Sequence, residues 1–286
     1  MGWHQLTKKV ITEIKNDISA ISLYSDAFNK RIRIDDYSGD AHGVLALITE
    51  STPAWAEKII VKSRKREVAI FLSGGFIREA EVAGYFKGAD MFFLVKYPKP
   101  ERGSNPGQPE ERRIVESILS QPNTASEANT QIVLPATPED ANELAELYAE
   151  VFQVYPTALN DPAYVRKTMK EGTKYVLIRE QNRIVSAASA EINRQYANAE
   201  LTDCATLPEA QGKGHIKKLL LKLEKLLKAE NIHCLYTIAR AESYGMNKAF
   251  YQLGYTYGGT LINNCVIYSG LEDMNVWYKV AEKPKT

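Results

Sequence analysis

The segment from Ala199 to Ala229 constrains the fold more than any other. It begins extended, as AELTDCATLP, and passes through Gln211-Gly212-Lys213-Gly214 into a run with helical spacing. Ile216, Leu219, Leu220, Leu223, Leu226 and Leu227 form the apolar stripe, and Lys218, Lys222, Lys225 and Lys228 lie opposite. A strand that feeds such a helix from about Lys213 to Ala229 must bury the stripe against a sheet, which predicts an α/β architecture. Glycines at the junction let backbone approach a ligand closely, and the free N–H groups of a helix start attract an anion. Gly212 to Ile216 is therefore a candidate diphosphate cradle, with Lys213 or Lys217 adding charge; an ordinary tight turn is the competing reading. Neither GK[ST] nor a third glycine is present, so the segment is not a P-loop or a dinucleotide fingerprint.

The flanking sequence extends the pattern. Gln131 to Pro135 reads as a strand. Thr137 caps a helix opened by Pro138, with Leu144, Leu147, Tyr148 and Val151 on one face. A short helix is expected at Tyr164 to Met169. Strands are expected at Tyr175 to Arg179, Arg183 to Ile192 and Ala197 to Thr206, the first two joined across Gln181-Asn182. Beyond the leucine helix come a strand at His233 to Ile238, a helix at Gly245 to Leu253, and strands near Thr260 to Tyr268 and Asn275 to Val280. The result is an α/β domain around a mixed sheet.

Pro-, Gly- and Ser-rich stretches at Lys99 to Gln108 and Gln121 to Thr130 bracket a short helix at Pro109 to Ser120, and we place a domain boundary near residue 125. The domains are then 1–125 and 126–286. In the first, strands are expected at Ile32 to Ile34, Val44 to Ile48, Glu67 to Phe71 and Met91 to Lys96, with helices at Pro53 to Val61 and Ile77 to Val82. That succession suggests a degenerate copy of part of the second domain, as does the likeness of Gly84-Tyr85-Phe86-Lys87-Gly88 to Gly254-Tyr255-Thr256-Tyr257-Gly258. Plain alternation of strands and helices explains it equally well. No glycine lies between Ile48 and the helix expected at Pro53, so a copy would lack the cradle.

Composition bounds the function. The 286 residues carry 36 Lys and Arg against 35 Asp and Glu, a net charge of +1, which argues against nucleic-acid or membrane binding through a broad basic face. The cluster Lys62, Arg64, Lys65 and Arg66 reads as a solvated turn. No apolar run reaches the ~20 residues of a membrane helix, and Met1 to Lys15 has no secretory pattern. Cys204, Cys234 and Cys265 lack metal-ligand spacing, so a metal-free cytoplasmic protein is expected. Cys204 reads as a small buried apolar residue rather than a nucleophile.

The strand–glycine–helix segment resembles the signature of the GCN5-related N-acetyltransferases (GNAT), Q/R-x-x-G-x-G/A after a strand reading A-E-φ-x-x-C-A. Gln211, Gly212, Lys213 and Gly214 fit, while Ile216 replaces the usual small final residue. NKAFYQLGY, from Asn247 to Tyr255, looks like the family's N-x-x-A…Y-x-x-x-G-F/Y helix, shortened by one residue. The resemblance covers about residues 131 to 280 and implies a GNAT-type mixed sheet flanked by helices. More closely, ELTDCATLPEAQGKG, ARAESYGMNKAFYQLGY, GGTLINN and GLEDMNVWYK look like the β-lysine N-acetyltransferases, over nearly the whole chain. Those would use acetyl-CoA to make Nε-acetyl-β-lysine, a compatible solute. Another small amine acceptor, such as lysine or a polyamine, and a non-catalytic acyl-CoA sensor are the alternatives, and a homodimer is compatible with each.

The resemblance also implies roles. Gln211 to Ile216, His215 through its backbone, would hold the diphosphate. Glu200 occupies the place of a general base, against a bland reading as a solvated residue or counter-ion. A bulge in this strand would let Glu200 and Asp203, three apart and otherwise on opposite faces, reach one cleft. It would also free an N–H near Ala205 or Thr206 for the thioester oxygen. Asp203 and Glu191 would bind the amine that is not acetylated, and Arg240 or Arg194 the acceptor's carboxylate. Many relatives place an acidic Tyr at the position held here by Phe250; Tyr251, one residue on, is the substitute, with Tyr244, Tyr255 or water as alternatives. Phe250 would then pack against pantetheine, and Asn247 would bond to pantetheine or phosphate. Tyr148, Phe152, Tyr155 and Tyr164 are expected partly in the core and partly as walls of the acceptor pocket.

Overall fold

The computed structural model describes residues 10–122, 132–152, 155, 157–267 and 270–281. The boundary expected near residue 125 lies outside them, as does most of the linker at Gln121 to Thr130. Their strands form one mixed sheet of thirteen, β1 to β13, with seven α-helices, α1 to α7, packed against it.

The carboxy-terminal half follows the expected order closely. β7 (Leu134–Pro135), β8 (Lys174–Glu180), β9 (Arg183–Asn193) and β10 (Asn198–Thr206) pair antiparallel in sequence. The β8–β9 turn falls at Gln181-Asn182, whose positive φ values of 49° and 65° suit a tight hairpin. α4 (Ala141–Val151) and α5 (Pro162–Glu171) precede β8; Asp161 caps α5 through the Ala163 amide. α6 (His215–Ala229) then leads to β11 (Cys234–Arg240), parallel to β10, and α7 (Tyr244–Gln252) leads to the β12 (Thr256–Ile267)–β13 (Gly270–Val280) hairpin. β13 lies between β11 and β12.

The amino-terminal half corrects several expectations. β1 (Val10–Lys15) and β2 (Ser19–Asp26) had no counterpart in the sequence reading. β3 (Arg31–Gly39) contains the strand expected at Ile32 to Ile34. Val44 to Ile48 belongs to α1 (Ala41–Ser51), because Ala41, Val44, Leu47 and Ile48 recur at helical spacing and are all buried. The helix expected at Pro53 to Val61 is replaced by β4 (Lys58–Arg64), parallel to β3. Glu67 to Phe71 is helical, leading into α2 (Val68–Ser73), and Ile77 to Val82 is extended, within β5 (Ile77–Phe86). β6 (Ala89–Lys96) returns between β4 and β5, and α3 (Gln108–Leu119) follows. Lys62 and Arg64 accordingly lie on a strand rather than in a solvated turn; Lys62 Nζ is 3.1 Å from Asp35.

Both halves run in the same pattern: three antiparallel strands, a parallel step across a helix, and a closing hairpin inserted in reverse. This gives β1-β2-β3-β4-β6-β5 and β8-β9-β10-β11-β13-β12. Their last strands meet at one seam, where Gly259 pairs with Ala80. A Cβ on Gly258 would lie 2.2 Å from the Glu81 carbonyl oxygen and one on Gly259 2.3 Å from that of Glu79, so only glycine permits the approach. Gly84, by contrast, lies towards the β5–β6 hairpin and Gly254 between a helix and a strand, so the Gly84–Gly88 and Gly254–Gly258 likeness does not join equivalent places. A shared apolar core, including Ile60, Phe93, Tyr236, Leu261 and Val276, fills the space between the halves.

Candidate active site

Strand β10 is paired to β9 until Thr202, where the register shifts and resumes at Ala205 opposite Ala187. Asp203 takes a φ of 52° in this bulge, a conformation that costs a non-glycine residue on the order of 1–3 kcal/mol and is held by its surroundings. On the other side, β10 and β11 pair at Asn198, Ala199 and Glu200, and the ladder ends there. Glu200 thus stands on the last rung before the two strands part. Ala199 and Leu201 point into the helical core, leaving Glu200 and Thr202 on the opposite face.

The bulge opens onto a cavity of about 310 Å³ lined by Glu191, Glu200 and Asp203, with Tyr155 and Phe152 on one side. Glu191 pairs directly across from Glu200. The Asp203 carboxylate accepts from Tyr155 Oη at 3.1 Å and Ser189 Oγ at 2.6 Å. Burial and the negative charge of Glu191 nevertheless push its pKa up to about 7. Burial, then Glu191, also raises Glu200, against the pull of Lys62 and Arg33 and a hydrogen bond from Tyr236. The structure therefore brings all three predicted carboxylates into one cleft.

The predicted cradle lies at the start of α6. Gly214 is the residue before its first turn, at φ 74°, and no side chain caps the helix. Gly212 also has a left-handed φ of 78°, and a Cβ on either glycine would meet nothing within 4 Å. Open space beside uncapped helix amides fits the diphosphate of acetyl-CoA, and the amides from Gly212 to Ile216 would hold it. Lys213 pairs with Glu180 at 2.9 Å, and Gln211 Nε2 donates to the Thr206 carbonyl at 3.4 Å. The His215 ring is turned into the protein near Glu180, which leaves its backbone for the cradle. Ser186 ties the bulge's far side, donating to the Ala205 carbonyl at 2.9 Å and lying 2.7 Å from the Thr206 hydroxyl.

Other assignments need correction. Tyr251 donates to the Gln121 carbonyl at 2.7 Å, which turns its hydroxyl toward the segment after α3 rather than the bulge. Phe250 is fully buried against Tyr255, so it packs the core and offers no surface to pantetheine. Asn247 is also fully buried: its amide donates to the Arg240 and Ser243 carbonyls, and its oxygen accepts from Asn275 and Trp277. It locks α7 to the sheet. Arg240 does line the cavity, but Glu272 grips its guanidinium through both carboxylate oxygens, and Arg194 pairs at the surface with Glu230. Cys204 lines the cavity as well; burial and then Asp203 push its thiol up to about 12, so it stays protonated.

The sequence reading missed the cavity's opposite wall, made by Tyr24, Arg31 and Arg33 of the amino-terminal half. Its signal was the alternation Arg31-Ile32-Arg33-Ile34-Asp35, which puts charge on one face of a strand whose other face is wholly buried.

Residues 141–255 match the model of the Acetyltransferase (GNAT) family. The chain is 38% identical to N-acetyltransferase YodP of Bacillus subtilis over 94% of its own length and 99% of that protein. It is 34% identical to the Beta-lysine N(6)-acetyltransferase of Methanosarcina mazei, over 72% of this chain and 84% of that one. With the protein of the same name from Methanococcus maripaludis it shares 35%, over 79% and 83%. The chain belongs to the GNAT family of acetyltransferases. It is an acetyl-CoA-dependent acyltransferase that acts on an amine. Among the described residues no helix is long and apolar enough to cross a membrane, and no three His, Cys, Asp or Glu side chains are grouped to hold a metal.

Proposed function

We propose that this enzyme acetylates the ε-amine of β-lysine, giving Nε-acetyl-β-lysine, a compatible solute made in osmoadaptation. The observation that carries the reading is the convergence of Glu191, Glu200 and Asp203 on one cavity. A diamino acid brings two ammonium groups, and both need anionic partners while one must also lose its proton. The relatives named for β-lysine support the same acceptor. The three cysteines are free, which favours a reducing, cytoplasmic setting.

Acetyl-CoA, when bound, supplies an acyl group activated as a thioester. Glu200, beside the point where β10 and β11 part, takes the proton from the attacking amine, directly or through water. Its raised pKa brings it nearer the ~10.4 of a lysine-type ammonium, which eases that transfer. Glu191 and Asp203 hold the second amine, and water, rather than Tyr251, protonates the departing thiolate. Purified protein with acetyl-CoA should release free thiol fastest with β-lysine and more slowly with α-lysine or spermidine, with mass spectrometry locating the acetyl group. Spermidine as the best acceptor would move the function to polyamines. A rise in melting temperature with acetyl-CoA, but no turnover on any amine, would make the protein a sensor.

We also infer that residues 1–125 and 126–286 are two units, the first a worn copy of the second. The shared strand order supports this, and so does one corner. Phe71-Leu72-Ser73-Gly74-Gly75-Phe76 and Phe250-Tyr251-Gln252-Leu253-Gly254-Tyr255 both leave a helix through a left-handed glycine, at φ 83° and 81°. In each, the last residue's amide donates to the first residue's carbonyl at 3.1 Å. The rings of each pair meet edge to face, 5.7 Å apart in one corner and 5.0 Å in the other.

A further inference from the structure

The cavity's two walls carry opposite charge and come from different halves. Glu191, Glu200 and Asp203 put three carboxyl groups on the β9–β10 wall, and among the described residues none of them forms a salt bridge. The facing wall is built on β3, where Ile32 and Ile34 are buried under α1 and the odd-numbered residues turn the other way.

The two arginines of that wall differ. Arg31 is held within the protein, its Nε on Asp26 at 2.9 Å and Nη1 on the Asn264 carbonyl at 2.8 Å. Arg33 lies over the ring of Tyr24, its cross-strand partner, with Cζ 4.4 Å from the ring centroid. Its Nη2 donates to Asp35 at 2.8 Å, while its Nε is buried with no hydrogen bond. Asp35 also holds Lys62 at 3.1 Å, so one carboxylate is shared by two cations. Both cations lie near enough to act on Glu200. A polyamine would bring no acceptor for the unbonded Arg33 Nε, whereas an acceptor that also carries a carboxylate brings one and still offers its amines to the β9–β10 carboxylates.

We propose that Arg33, contributed by the amino-terminal half, receives the acceptor's carboxylate and so selects an amino acid over a plain diamine. This rests on the diamino-acid reading above. Tyr24 stacks on the guanidinium at the cavity wall, and Asp35 engages Nη2, which leaves the unbonded Nε as the group a carboxylate would satisfy. The degenerate half is thereby retained as one side of the acceptor site.

The test compares β-lysine with 1,4-diaminopentane, the same molecule with hydrogen in place of the carboxylate, on wild type, Arg33→Met and Arg33→Lys. A charge-assisted hydrogen bond implies a wild-type preference for β-lysine of about 10- to 100-fold in kcat/KM. Arg33→Met should collapse that ratio toward one, chiefly by raising KM for β-lysine. Arg33→Lys should keep part of it, because a point charge cannot reproduce the planar fork, and it also serves if the Met variant folds poorly. General damage to the fold lowers both substrates alike and leaves the ratio intact, which would overturn the assignment. A wild type that prefers β-lysine while Arg33→Met keeps the full preference overturns Arg33 alone and leaves the acceptor standing. A wild type that treats the two substrates alike overturns both.

Discussion

Helix α1 starts at Ala41 with Asp40 as its cap, the carboxylate accepting from the Gly43 amide at 2.9 Å. Helix α6 occupies the matching place in the other half, starts at His215 behind Gly214, and has no side-chain cap. At α1 the space is filled: a Cβ on Gly43 would come within 2.4 Å of Ser19 Oγ, which itself donates to the Asp40 carbonyl at 2.9 Å. At α6 the space beside Gly212 and Gly214 is open. Both helix starts attract negative charge for the same electrostatic reason. One supplies the anion from its own chain and becomes a structural joint, while the other leaves the place open. A half that satisfies its own helix start cannot bind the cofactor there, yet it can still shape the acceptor pocket.

The largest expected effect breaks that contrast directly. Gly214→Val puts a branched side chain into the open cradle and forces it to adopt a left-handed backbone, at a cost of about 1–2 kcal/mol. Calorimetry should find acetyl-CoA binding lost while circular dichroism still reports a folded sheet. Gly43→Ala in the other half should do the reverse, lowering the melting temperature and leaving acetyl-CoA affinity as it was. Unchanged affinity in Gly214→Val would show that the diphosphate binds elsewhere.

Next in size is the chemistry that the proposed function assigns to the carboxy-terminal half. Glu200→Gln should lower kcat near pH 7 by about 10²-fold, within the usual range for a positioned base. The pH dependence has a definite sign. The Glu200 carboxyl is raised, so wild-type activity climbs as it ionises and then levels off, because the carboxylate removes the bound amine's proton. The variant lacks that rise and climbs only as the amine loses its proton in solution. The ratio of wild type to variant should therefore be greatest near neutrality and shrink at alkaline pH. A ratio that stays flat would assign the base to another group, with Asp203, at about 7, the first candidate.

The same contrast between halves governs what the amino-acid sequence reveals. The catalytic half was legible because its helices carry long apolar stripes and its turns carry glycines or Gln181-Asn182, so periodicity and punctuation agree. The bulge that unites Glu200 and Asp203 was expected from the spacing of the two acids together with family resemblance. In the other half Val44 to Ile48 is a bare apolar run, which strand and helix bury equally well. Only the cap at Asp40 and the burial of Ala41 decide for the helix. Arg33 was invisible for a different reason: a charged residue alternating with isoleucines reads as solvent-facing, and only packing against the second half turns that face into a cavity wall. Phe250 and Asn247 were misassigned because a helix of nine residues places its positions toward core or ligand by rotation alone, and here both face the core.

The smallest expected effect sharpens the comparison at its other end. Asp40→Ala removes the carboxylate that answers the start of α1, and loss of such a cap costs about 1 kcal/mol of stability. The melting temperature should fall by a few degrees, and addition of sulfate or phosphate should restore part of it more than it stabilises wild type, because the exposed amides can then recruit an outside anion. Acetyl-CoA should still titrate to one site per chain, since Ser19 and the backbone around Gly39 continue to crowd the place where a diphosphate would lie. Two sites in the variant would mean that Asp40 alone separates the amino-terminal half from a binding one. No change in stability would mean that the cap contributes nothing, and that the resemblance between the two helix starts is one of topology without shared physics.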